Sequence, residues 1–144
     1  MMKTKGSSVK IILGEFDKGG FHLFINIKVN GNRCRFLIDT GASKSVLDKK
    51  YFEDKIGKKY LKTVKQETTG LHSSVSESYF GIVKEIELGH QIVSKYNIAV
   101  IDLSHVNMVY KSAGKPKING ILGSDLMLKY KMIINYGELK IYLP

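Results

Sequence analysis

The sequence predicts a small all-β domain, a closed or nearly closed barrel carrying one or two short helices. Three observations predict it. Phe21, Leu23, Ile25, Ile27 and Val29 alternate with His22, Phe24, Asn26 and Lys28, the period of two that marks a half-buried strand. Asn30-Gly31 follows, the pair that best tolerates the positive φ of a tight hairpin turn. From there to Pro144 the chain reads as strand-length apolar segments punctuated by glycine, with only two stretches of helical character.

Taken in order, Arg33–Ile38 is the return strand of the first hairpin and runs straight into Asp39. Lys44–Leu47 reads as a short strand. Asp48–Ile56 reads as a short helix, capped by Asp48 and stopped by Gly57. Leu61–Thr68 and Ser74–Leu88 read as two strands joined through Thr69–Ser73. Gly89-His90 turns the chain into a further strand, Gln91–Asp102. Ser104–Asn119 carries the loop signals Gly114 and Pro116. Gly120–Tyr130 opens with an apolar pair and a glycine and continues as a short helix, with Ser124 or Asp125 near its start. Lys131–Tyr136, Gly137 and Glu138–Pro144 form a last hairpin.

The 144 residues suit one domain, 1–144, with 1–19 as an N-terminal strand or arm. No apolar run approaches the ~20 residues of a membrane helix. Val9–Leu13, interrupted by Lys10, is too short for a signal-peptide core, and the single Cys34 has no internal disulfide partner. These features favour a cytoplasmic location, although a chain whose leader had been removed would read the same. The formal net charge is +10, with lysines concentrated in Asp48–Lys65. That stretch reads first as a solvated face, with Glu53 and Asp54 interleaved. A surface for nucleic acid or an acidic partner is the other reading. No stacking pattern or nucleic-acid motif accompanies it, so nucleic acid is not an expected partner. His22, His72, His90 and His105 lack metal-ligand spacing, and no metal site is expected. Cys34 reads as a strand residue with no base to activate it.

The residues that carry chemistry are Phe36–Ser43, FLIDTGAS. An aspartate at a strand end often does no more than cap a turn. Here Leu37-Ile38 put the carboxylate against an apolar wall, where ionisation is costly unless supported. Gly41 permits close backbone approach and an N–H aimed back at the acid, and Thr40 supplies a short, stiff hydroxyl. This is a way to hold an acid rigidly. Far downstream, Ile121-Leu122-Gly123 is a strand able to pack against the Asp39 loop. Between the two lies a hairpin tip rich in Thr, Ser and Gly, placed to close over an extended chain.

On Asp39-Thr40-Gly41-Ala42 and Leu122-Gly123-Ser124-Asp125-Leu126-Met127, the chain resembles the retropepsin-like aspartic proteases: the retroviral enzymes, the DNA-damage-inducible proteins and single-domain bacterial relatives. The former stretch matches their D-T-G-A motif. The latter is similar to the L-G-x-D-x-L of the cellular and bacterial branches. The order of motif, flap hairpin, downstream motif, short helix and closing strands is similar over about Gly20–Pro144. Ser43 stands where the retroviral enzymes carry aspartate, and the flap has a lone Gly70 at its tip.

The resemblance implies a retropepsin-like fold and an aspartic endopeptidase without metal or cofactor. Two carboxylates close together share one proton and activate a water between them. The sequence holds D-T-G once, so a homodimer is implied, with Asp39 from each copy on the two-fold axis and Thr40 bonding across it. Asp39, Thr40 and Gly41 would be catalytic. Ala42, Ser43, Thr69, Gly70, Leu71 and Leu122 would contact a peptide or protein substrate. Ile121, Gly123 and Asp125 would be structural, Asp125 as a helix cap or brace. The terminal strands near Val9–Leu13 and Leu139–Leu143 would be the interface edges. A non-catalytic peptide-binding or dimerisation module of the same fold is the other reading.

Overall fold

In the computed structural model, which describes residues 6–16, 18–68 and 74–144, ten strands form one sheet. They are β1 (Ser7–Phe16), β2 (Gly20–Val29), β3 (Asn32–Ile38), β4 (Val46–Asp48), β5 (Lys62–Thr68), β6 (Ser74–Leu88), β7 (Gln91–Ile101), β8 (Gly120–Leu122), β9 (Ile133–Asn135) and β10 (Lys140–Leu143). The sheet order is β5-β6-β7-β4-β8-β3-β2-β1-β10-β9. A short extra pairing, Lys28 opposite Glu87 and Val29 opposite Ile86, joins β2 to β6 and makes a ring of pairings from β2 round to β6. β5 on one side and β1, β10 and β9 on the other lie outside that ring, which closes through this short pairing alone.

The first hairpin turns at Asn30 (φ 50°) and Gly31 (φ 81°), both left-handed as the Asn-Gly pair predicts. Asp48 starts α1 (Lys49–Phe52) by accepting from the Tyr51 N–H, and the helix widens through Glu53–Gly57 before ending. The Phe52 ring lies against β6, where Gly81 leaves no room for a side chain: a Cβ there would overlap the ring.

The stretch expected as a loop contains α2 (Ser104–Ser112). The Asp102 carboxylate accepts from the Ser104 N–H at 2.9 Å, and Val106 and Tyr110, one turn apart, pack into an apolar cluster. Asn107 bonds both backbone groups of Ile118, at 2.8 and 3.0 Å, and so ties the helix to the following loop. Gly114, at φ 70°, ends it. With α3 (Ser124–Lys129), the described residues hold three short α-helices, one more than expected.

Two apolar clusters result. The larger lies inside the ring and includes Ile25, Ile27, Phe36, Leu47, Phe52, Val83 and Ile86. The smaller, Phe24, Leu103, Tyr110 and Ile118, lies on the opposite face of β2 and β3, under α2. Phe24, expected among the water-facing residues, is therefore 0% exposed, while Phe21 at the strand start is 52% exposed. The terminal strands β1 and β10 pair with each other inside the chain, Val9 opposite Ile141. The edges expected to meet a second copy are thus partly used within the protomer.

Phe52→Ala is expected to cost about 3–5 kcal/mol in urea unfolding. Gly81→Ala alone should also destabilise. Its cost should shrink in the Phe52→Ala background, where the methyl enters the vacated space, giving a favourable coupling in the double-mutant cycle.

Candidate active site

Along β3, Cys34, Phe36 and Ile38 point into the larger cluster, and Arg35 and Leu37 take the other face. The alternation carries the half-exposed Asp39 to the side of Leu37. β8 runs parallel beside β3 with Leu37 opposite Ile121 and Ile38 opposite Leu122. Ile121 therefore shares the Asp39 side, whereas Leu122 is 0% exposed in the core. Leu122 was expected in a substrate-pocket wall; within the protomer the pairing register turns it inward and leaves Ile121 on the Asp39 side.

The Asp39 N–H donates to the Leu122 carbonyl at 3.0 Å, extending the β3–β8 ladder by one residue. The Gly41 N–H donates to Asp39 Oδ1 at 2.9 Å, and the Ala42 N–H to the Asp39 carbonyl at 3.1 Å. The acid is thus held by the backbone that follows it, as the D-T-G spacing predicts. Thr40, Gly41 and Ser43 are exposed, and Ala42 is half-buried. Burial raises the Tyr110 phenol's pKa, Arg35 opposes this, and the Asp39 carboxylate adds to the rise. The field of Asp39 therefore reaches α2. Thr69, Gly70 and Leu71, expected at the flap tip, lie outside the described residues, as does His72.

The loop after Asp39 crosses the β8–α3 junction at close range. A Cβ on Gly123 would stand 2.7 Å from the Lys44 carbonyl carbon and 2.8 Å from the Ala42 oxygen, all backbone, so only glycine fits. The Ser124 N–H donates to the Ala42 carbonyl at 2.8 Å. Beneath the crossing, Ser45 is 1% exposed. Its hydroxyl accepts from the Gly123 N–H at 2.9 Å and donates to Asp125 Oδ1 at 2.7 Å, while its own N–H donates to the same oxygen at 2.8 Å. The Tyr96 hydroxyl donates to Asp125 Oδ2. Burial pushes the Asp125 carboxyl's pKa up, but the bonds from Tyr96, Ser45 and the Leu126 backbone outweigh it and leave the group below its ordinary 3.8. Asp125 is therefore a brace between the Asp39 loop, β7 and α3. The cap position of α3 is Gly123, with no side-chain bond.

Ser45, Tyr96, Arg35 and Tyr110 were not singled out by the sequence. Their partners lie far along the chain, Ser45 being 80 residues from Asp125. Cys34 is buried, donates to the Tyr51 hydroxyl at 3.0 Å, and has its thiol pKa raised by that burial. That is a core residue's environment. Among the described residues no three His, Cys, Asp or Glu side chains gather as a metal-holding group.

The fold is shared with solved structures. A retropepsin-like aspartic protease from Rickettsia conorii superposes with a TM-score of 0.56 at 22% identity, over 99% of this chain and 96% of that one. The retroviral protease-like domain of Ddi1 from Leishmania major gives 0.52 at 16% identity, over 85% and 94%. These likenesses establish the retropepsin-like fold. The sequence profile described as aspartyl protease matches residues 25–126, which take in D-T-G-A, the flap strands and the Ile121–Asp125 motif. The chain belongs to the aspartyl protease family. None of the curated proteins compared matches its sequence.

Asp125→Ala is expected to cost about 3 kcal/mol, because it strands the donors of the buried Ser45 and the half-buried Tyr96; urea titration measures it. Asp125→Asn keeps one acceptor oxygen and should cost less. Since folding depresses the carboxyl's pKa, its contribution is full above the ordinary 3.8 and is lost as pH falls through and below that value. The stability gap between wild type and Asp125→Asn should therefore narrow in acid.

Proposed function

We propose that the chain is an aspartic endopeptidase that works as a homodimer. The observation that carries this reading is the state of Asp39. Its carboxylate is half-exposed at a strand end, fixed by the Gly41 N–H at 2.9 Å, and the sequence offers D-T-G only once. An acid held for chemistry but lacking its pair is complete only with a second copy.

On this reading Asp39 and its two-fold mate share one proton across the axis. The ionised carboxylate takes a proton from a water lying between them. The water oxygen forms a bond to the peptide carbonyl carbon, and the protonated carboxylate donates to the carbonyl oxygen. Collapse of the tetrahedral intermediate breaks the C–N bond, and the proton held by the first carboxylate goes to the departing amine. The exposed Thr40 follows the acid in the chain, and on this reading it bonds across the axis. Substrate lies extended between the β5–β6 hairpin and the sheet, its backbone pairing as an added strand. Leu37 and Ile121 supply an apolar wall beside the acid.

A diverse peptide library digested from about pH 4 to 7 and read by mass spectrometry tests this. Wild type should cut and Asp39→Asn should not, with a loss of at least about 10³-fold. Peptides bound by both proteins and cut by neither would make the chain a peptide-binding module. Sedimentation velocity should show mass rising from one to two chains with concentration. A monomer throughout, even with an active-site ligand bound, would rule out the shared dyad.

A further inference from the structure

An open cleft of about 690 Å³ lies between α1 and α2, and neither Asp39 nor its loop lines it. β4 and β7 run parallel, Asp48 opposite Ile101, so both strands leave the sheet at the same end and α1 and α2 start side by side. Asp48 fastens them: its carboxylate accepts from the Tyr51 N–H at 3.4 Å and from the Leu103 N–H at 3.0 Å. Its own N–H donates to the Asn119 carbonyl at 2.7 Å and brings in the loop after α2. Lysines distant in sequence therefore meet: Lys49 and Lys50 from α1, Lys111 from α2, and Lys115 and Lys117 from the loop.

The carboxylates in the walls are already engaged. Asp48 is bonded as above, Asp102 accepts from Ser104, and Glu53 lies 3.7 Å from the Lys49 ammonium. Among the described residues, Lys50, Lys111, Lys115 and Lys117 have no carboxylate at ion-pair distance. Met108, 65% exposed, adds an apolar patch between them.

We infer that this cleft is a docking site for an acidic, partly apolar segment of a protein substrate, separated from the catalytic cleft by the single helix α2. The substrate part of this rests on the proposed protease activity; the binding part does not. Discrete cations interrupted by a thioether suit a peptide that alternates acidic and apolar side chains. Nucleic acid fits less well. Among the described residues no aromatic ring lines the cleft to stack a base. Tyr110 and Val106 of α2 face the apolar cluster beside Asp39, while Asn107, Met108 and Lys111 face the cleft. A chain seated in the cleft is thus one helix away from the acid.

The test uses Asp39→Asn protein, so that binding is read without cleavage. The probe is a fluorescein-labelled twelve-residue peptide of alternating Glu and Leu, followed by anisotropy. Lys111→Glu/Lys115→Glu/Lys117→Glu should weaken binding by at least about tenfold. Lys58→Glu/Lys59→Glu/Lys129→Glu, with the same change in net charge outside the cleft, should weaken it less than about threefold. Raising salt from about 50 to 200 mM should weaken the wild-type cleft's binding. Equal losses in the two triple variants, or none, would overturn the site. So would tighter binding of a single-stranded oligonucleotide of matched charge, lost in the same cleft variant. The corresponding Lys→Gln triple, checked by circular dichroism, gives the same reading if charge reversal unfolds the chain. In active protein, adding the Glu-Leu segment to a peptide found in the library digest should lower KM with little change in kcat, and the cleft variant should lose that gain. Absence of any cleavage would defeat the protease reading and leave the binding result standing.

Discussion

Much of this structure depends on one carboxylate, that of Asp125. Asp125 receives the Ser45 N–H, the Ser45 hydroxyl and the Tyr96 hydroxyl, and the same serine receives the Gly123 N–H. Three elements separated in sequence are fixed to one point: the loop after Asp39, the strand β7 and the start of α3. Removing water from an ionised group is costly unless donors replace it, and here they do. The geometry of Asp39 follows from this. Its own contacts are a backbone N–H and a strand register, and both are set by how the loop lies across Gly123.

The helix α2 gives the molecule its second level of organisation. In a sheet of this kind the outer face of β2 and β3 needs a cover, and α2 provides it through Val106 and Tyr110. The cover has two sides. One carries a phenol within the electrostatic reach of Asp39, and the other forms a wall of the lysine cleft. The high positive charge of the chain is thus partly gathered into a concave site.

What the sequence revealed, and what it hid, follows from the range of the interactions. The first hairpin was legible because Asn30-Gly31 determines its turn locally. The long strand β6, Ser74–Leu88, was legible from its bounds, and Asp39 from the unusual company of an apolar strand, a hydroxyl and a glycine. The helix α2 was hidden because Gly114 and Pro116 advertise a loop, while the force that orders Ser104–Ser112 is packing against Phe24, some 80 residues earlier in the sequence. Phe24 was misplaced for the reciprocal reason: nothing in an alternating strand announces that its polar face will be roofed. That Leu122 faces the core and Ile121 the Asp39 side was not legible either, because a one-residue difference in register reverses which side chain points inward. Ser45 carries no signal at all, being one serine among several until the fold sets it beneath Asp125.

The long span between Asp39 and its supports has a consequence in time. The acid leaves the ribosome about eighty residues ahead of the Leu122 carbonyl, Gly123 and Asp125 that fix its loop. Contacts so remote in sequence close late in folding, after the loop-closure entropy has been overcome. While those eighty residues are made, the chain therefore carries an aspartate without these supports on a nascent hairpin. The organised carboxylate exists only once the chain through Asp125 is in place, so the order of synthesis itself delays the assembly of the site.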